Sequence, residues 1–388
     1  MSQMRSFVEP SGSNSAGRGV VERQSFLYED YMVGEGIPIY EGGGFRDVRD
    51  LSLGSWHRRG GNGAFLAIDQ LAHVLGLYVI EVPPDKSLNL EHHVFEEKFL
   101  VLEGSGTTEI YGTAFKSFLW NKGALFAIPL NVTYKLKNTG SKPALLLSAN
   151  TAPSIINAYD RDFAFSCDYK FVTRYDEEDD YFAPSLNTIA TPELGRAMWQ
   201  TNFIPDIINC ELPLDNVRSP GYRRIELPHM AGSNFWGFVG EYPSGRYAKA
   251  HYHGPGAVLV CVKGKGYTYT WPSSIGMTPW KDGKQDLVER IDYVAGGMVA
   301  AAPGSGDWFH QHFSTGQEPM RMVVFHGFTG GPYRNFGGRS RRGKSVAGKE
   351  LGEGGNAISY KLEDPFIREE YEQILERDGV HVDMPEPR

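Results

Sequence analysis

Two stretches of this chain repeat one pattern. Glu91-His92-His93-x3-Glu97-x6-Gly104 lies over His251-Tyr252-His253-x3-Ala257-x6-Gly264 at a constant offset of 160. Further on, Gly123-x5-Pro129 lies over Gly297-x5-Pro303 at an offset of 174, and Tyr134-x3-Asn138-Thr139-Gly140 over His310-x3-Ser314-Thr315-Gly316 at 176. A slowly drifting offset is what loop insertions leave in a duplicated unit. The chain should therefore fold as two copies of one domain, and 388 residues suffice for two cores.

Each copy reads as short strands. GLYVIEV, EEKFLVLEG, TTEIYG, ALFAIPL, TYKLKN and ALLLSAN follow one another between Gly76 and Asn150, and NFWGFVGEY, AVLVCVKG, GYTYTW, VERIDYV, MVAAAP and MRMVVFHGF form a second series from Asn234. Evenly spaced short strands with glycine-bearing turns predict an all-β antiparallel barrel or sandwich. The expected plan is an N-terminal arm over 1–60, partly disordered, a first β-domain over 61–155, an interdomain segment over 156–228, a second β-domain over 229–330, and a C-terminal loop and helix over 331–388. The helix is expected over Asp364 to Arg377, with Asp364 as cap and Pro365 at the first helical position.

On a strand, residues i and i+2 face the same way, so His251 and His253 project together, as do His310 and His312. Two such pairs facing each other inside a barrel would converge four imidazoles, an arrangement suited to a metal ion. His312 is either a fourth ligand or a neighbouring acid/base. Around this centre, Trp308, Cys261 and His326 are expected to line a pocket, and Arg246, a few residues before His251, to anchor a substrate carboxylate. Tyr267 is expected to move protons beside His312, with Tyr269 and Trp271 as further aromatic wall.

The formal charge of −8 disfavours nucleic acid and anionic membrane surfaces. The one basic cluster, Arg339, Arg341, Arg342 and Lys344, reads as a solvated loop. Three scattered cysteines make no disulfide framework, and neither a leader nor a run of membrane-spanning length is apparent. A cytoplasmic setting and a small-molecule substrate are expected.

The paired patterns resemble the two signature motifs of the cupin superfamily, G(x)5HxH(x)3-4E(x)6G and G(x)5PxG(x)2H(x)3N, present twice as in bicupins. The resemblance covers roughly residues 75–150 and 234–328. It implies tandem jelly-roll barrels, a homodimer or larger homo-oligomer, and a metal held by His251, His253 and His310, with Ala257 in the glutamate slot. In the first domain the same slots hold Glu91, His93, Glu97 and Tyr134, a degenerate site. In length and in using three histidines without the glutamate, the chain resembles gentisate- and salicylate-type ring-cleaving dioxygenases. That resemblance implies a non-haem Fe(II) dioxygenase acting on a small aromatic or chelating acid. The alternatives are a manganese- or zinc-dependent lyase, isomerase or aminohydrolase, nickel being a further possible metal, and a non-catalytic binding or storage bicupin.

Overall fold

Strands buried on both faces need a core on each side, and this requirement sets the architecture. In the strand Glu97–Glu103, Phe99 and Val101 face one way and Leu100 and Leu102 the other, and all four are buried. Phe99 and Val101 join Phe65, Tyr78, Ile80, Phe126, Tyr134 and Leu146 in the interior of a first barrel. Leu100 and Leu102 join Leu66, Val79 and Leu147 and, from the second half of the chain, Ile225, Val239, Val258, Val260 and Val323. The two halves thus pack back to back, the outer face of one large sheet on the outer face of the other.

The computed structural model describes residues 26–69, 71–186, 188–191, 196–234, 236–253, 257–301, 308–326 and 349–385. Pro303 of the second motif and the basic cluster at 339–344 lie outside the described residues. Each half has a large sheet facing a three-stranded one. In the first large sheet the central order is Gly61–Ile68, Gly76–Val82, Ala144–Asn150, Glu97–Glu103, Leu125–Ile128. In the second it is Arg223–Leu227, Gly237–Tyr242, Met320–His326, Ala257–Lys263, Met298–Ala300. The small sheets, Thr133–Asn138 with Ser105–Tyr111 and Phe115–Asn121, and Trp308–Ser314 with Lys265–Pro272 and Glu289–Val294, correspond in the same way. Strand for strand the chain is two jelly-roll barrels in tandem, the architecture the repeated motifs imply.

Two segments read as connectors do more than connect. Gly44–Phe45, in the N-terminal arm, pairs with Met298–Ala300 of the second barrel. Phe203–Ile204, in the segment between the domains, pairs with Leu125–Ile128 of the first. A Cβ on Gly44 would sit 2.4 Å from the Met298 carbonyl oxygen, so only glycine allows that close approach. The helix Leu27–Gly34 caps the first barrel with Tyr28, Tyr31 and Met32. The C-terminal helix Pro365–Arg377 starts as expected, the Asp364 side chain accepting from the Phe366 amide. It buries Ile367, Tyr371, Ile374 and Leu375 against the outer face of the second barrel's small sheet, and the Tyr371 hydroxyl donates to the Ser314 carbonyl at 2.6 Å.

Candidate metal centre

The histidine pairs meet because the backbone makes them meet. His251 and His310 form an antiparallel bridge, each amide donating to the other's carbonyl at 3.0 and 2.9 Å. Their rings lie 4.2 Å apart, and that of His253 lies 4.7 Å from His310. One ligand atom from each of the three falls within 4.8 Å of the others. His251 donates Nδ1–H to the Lys249 carbonyl at 2.9 Å, which leaves Nε2 with its lone pair. His310 is wholly buried, and neither of its ring nitrogens has a hydrogen-bond partner.

Burial is the first reason the rings of His251 and His310 stay neutral. It drives His251 and His310 well below the usual histidine range, and the neighbouring imidazoles and Arg218 push the same way. His312 is lowered to about 3 by burial and then by Arg218. Neutral, desolvated imidazoles with orphaned nitrogens are the donor set a divalent cation takes. The residues present therefore fit a metal.

His312 stands beside the triad. Its ring is 5.5 Å from His310, and its Nδ1 is held by the Thr268 hydroxyl at 2.8 Å, which also contacts the Tyr293 hydroxyl at 3.0 Å. The ring of His326 stacks on Trp236 at 3.9 Å and lies 5.8 Å from His253. Trp308 opens the strand that bears His310 and His312 and shares their face, half-buried.

Three other expectations are corrected. Tyr267 faces away from the metal centre. Thr268 and Thr270 pair with His312 and His310, so Tyr267, Tyr269 and Trp271 point outward beneath the C-terminal helix, where Tyr267 stacks on Phe313 at 4.3 Å. A parity set by strand register, not by nearness in sequence, decides this. Arg246 is tied to the C-terminal tail through Asp383 at 2.7 Å and to the Pro220 carbonyl. Cys261 does face the barrel interior, but among Met320, Met322 and Tyr293, and burial pushes its thiol up to about 12. It is a packing residue.

The arginine that acts on this centre is Arg218, nine-tenths buried, whose charge is felt by His251, His310 and His312 alike. It lies in a proline-punctuated segment with no strand pattern, 33 residues before His251, so no spacing points to it. Deeper in the same barrel, Arg224 lies over the Phe238 ring and pairs with Glu226 at 2.7 Å.

The equivalent place in the first barrel is built by the same bridge, Glu91 to Tyr134. Here Glu97 accepts from Tyr78 and Ser148 on one oxygen and from Tyr134 on the other, each at 2.6 Å, and faces His93 Nε2 at 3.0 Å. Glu91 accepts from Arg58 at 2.6 Å and pairs with Arg59 at 3.0 Å. Its four motif residues lie together, and every carboxylate oxygen among these contacts is already engaged by the chain itself.

Three converging imidazoles inside one of two tandem barrels make a candidate metal centre in the second half of the chain. No family model matches the chain, and no curated protein does. Among solved structures it is similar to a variant of oxalate decarboxylase from Bacillus subtilis, with 13% identity and a TM-score of 0.47 over 74% of this chain and 78% of that one. The oxalate decarboxylase–formate complex from Lactobacillus farciminis is similar at 12% identity and a TM-score of 0.44, over 74% and 86%. These neighbours are decarboxylases by name, and not ring-cleaving oxygenases. The expectation of an iron dioxygenase and of a gentisate-type relative finds no counterpart among these names and is not carried forward. No helix among the described residues is long and apolar enough to cross a membrane.

Proposed function

We propose that the second barrel is the catalytic centre of a metal-dependent lyase acting on a small carboxylic acid. The observation that carries the reading is the convergence of three imidazoles, His251 and His310 buried and His253 half-buried, near the buried guanidinium of Arg218. Manganese or zinc bound there would polarise a carboxylate or carbonyl oxygen as a Lewis acid. With no carboxylate among the three ligands, the charge of such an ion stays uncompensated, which favours an anionic substrate.

The chain's own residues supply the rest. Arg218 adds a fixed positive charge near the three histidines that attracts a carboxylate. His312 is anchored through Nδ1 to Thr268, so Nε2 is the atom that can take or return a proton. His326 and Trp236, stacked on each other, wall one side of the site next to the ring of His253.

The test loads metal-stripped protein with manganese or zinc and follows a panel of small hydroxy and dicarboxylic acids by NMR, with dissolved oxygen recorded in parallel. Product formed without proportional oxygen consumption, and lost in His251→Ala, is the expected result. Turnover that consumes one oxygen per substrate, or activity that survives His251→Ala, would sink the proposal.

A further inference from the structure

The two barrels place the same backbone bridge around two different charge arrangements. In the second, His251 and His310 face an interior that offers lone pairs. In the first, Glu91 and Tyr134 occupy the bridge and Glu97 reaches the same space, so two carboxylates are buried at 4% and 2% exposure. Buried carboxylates need cations close by. The first barrel supplies them from its own chain. Arg59, 3% exposed, contacts Glu91 at 3.0 Å and donates to the Tyr78 hydroxyl at 3.2 Å. Its remaining edge, Nε and Nη2, meets no acceptor; instead the guanidinium carbon lies 5.7, 5.9 and 5.8 Å from the rings of Trp56, Tyr78 and Tyr134. A guanidinium is weakly hydrated and stacks on aromatic faces, so it tolerates such enclosure better than an ammonium would. His93 completes the set. Its Nδ1 faces the Phe95 carbonyl at 2.9 Å and its Nε2 the Glu97 carboxylate at 3.0 Å. Both partners are acceptors, a pattern that only the ring with a proton on each nitrogen completes.

We propose that Arg59 is the resident cation of the first barrel, a guanidinium standing where the second barrel takes a metal, so that the first barrel holds no metal ion. Its interior balances two carboxylates against Arg59 and a doubly protonated His93, with Arg58 at the edge, and every lone pair of Glu97 is already taken by a donor of the chain.

Two measurements on the full chain test this, and neither depends on the reaction. Cobalt(II) is titrated into metal-stripped His251→Ala protein and read by its visible absorption. No bound cobalt is expected, and a tight site that survives His251→Ala and disappears when Glu97→Gln is added overturns the proposal. Separately, thermal unfolding is compared in Arg59→Met, Glu91→Gln and the double variant. Arg59→Met should lower the midpoint by on the order of 10 °C, and the double variant should recover part of that loss, because removing the anion relieves the uncompensated charge. Strictly additive losses would mean that Arg59 merely fills space, and would overturn it as well.

Discussion

Glu97→Gln isolates the charge on the most densely bonded carboxylate of the first barrel. Burial alone would raise the acid's pKa, but the hydrogen bond and charge of His93, then Arg59 and Ser148, reverse this and hold it at about 2 against an ordinary 4.5. A difference of roughly 2.5 units corresponds to about 3 kcal/mol, an order-of-magnitude figure, of folding stability. The sign follows from the direction. The folded-state value is depressed, so the contribution is fully present above pH 4.5 and is lost as pH falls from there toward 2. Glutamine keeps the shape but turns an NH2 toward two of the groups that now donate to the carboxylate, at a cost of about 3–5 kcal/mol near neutral pH. Urea unfolding followed by tryptophan fluorescence, at steps from pH 7 to pH 3, reads both effects. The gap between parent and variant should be several kcal/mol at pH 7 and should narrow as the parent alone loses its Glu97 contribution. Glu91, also held low by Arg59 and Arg58 against its burial, titrates in both proteins and cancels in the difference. A gap under about 1 kcal/mol at pH 7, or one that stays constant down to pH 3, would refute the reasoning.

The remaining expectations concern the second barrel. Arg218→Met should raise KM for a carboxylate substrate by on the order of tenfold or more, since a charge-assisted hydrogen bond is lost, while metal content measured by elemental analysis stays unchanged. Tyr267→Phe should leave kcat within about twofold, because the Tyr267 hydroxyl has no partner and lies on the face away from the histidines. Leu375→Ala, at a wholly buried position of the C-terminal helix, should cost about 2–5 kcal/mol in chemical denaturation, and a cost below 1 would mean that the helix does not hold the sheet behind His310 and His312.

The tandem barrels were legible because a duplication leaves two kinds of trace at once, repeated motifs and repeated strand text. The three histidines stood out because two HxH pairs recur at motif spacing, although only His310 of the three lies on a strand: His251 forms an isolated bridge to it and His253 lies in the loop before Ala257–Lys263. What failed was reasoning from nearness in the chain. Arg246 is close to His251 in sequence but bonds the tail at Asp383, whereas Arg218, on a stretch with no strand pattern, reaches the histidines through the fold. Tyr267, expected to move protons beside His312, sits on the opposite face of its strand. Applying the pairing with His310 and His312 to its strand would have assigned Thr268 and Thr270 instead. The strands exchanged between the barrels, Gly44–Phe45 and Phe203–Ile204, are two residues each, too short to show any alternation.

The same point in two barrels thus follows two solutions to one physical problem. A closed β-barrel with polar side chains at its centre must neutralise them or leave them unsatisfied. In the second barrel the polar groups are imidazoles, whose neutral form tolerates burial, and Arg218 nearby opposes their protonation. In the proposed reading that centre is a set of lone pairs open to a cation from outside. In the first barrel the polar groups are carboxylates, which cannot stay ionised in a dry interior without a permanent counter-charge. Arg59 provides that charge by covalent attachment, and the rings of Trp56, Tyr78 and Tyr134 close around it. Because the back-to-back packing of Leu100 and Leu102 against Val258 and Val260 makes one continuous core, a first barrel that needs no metal also gives the second a rigid support that does not vary with metal supply.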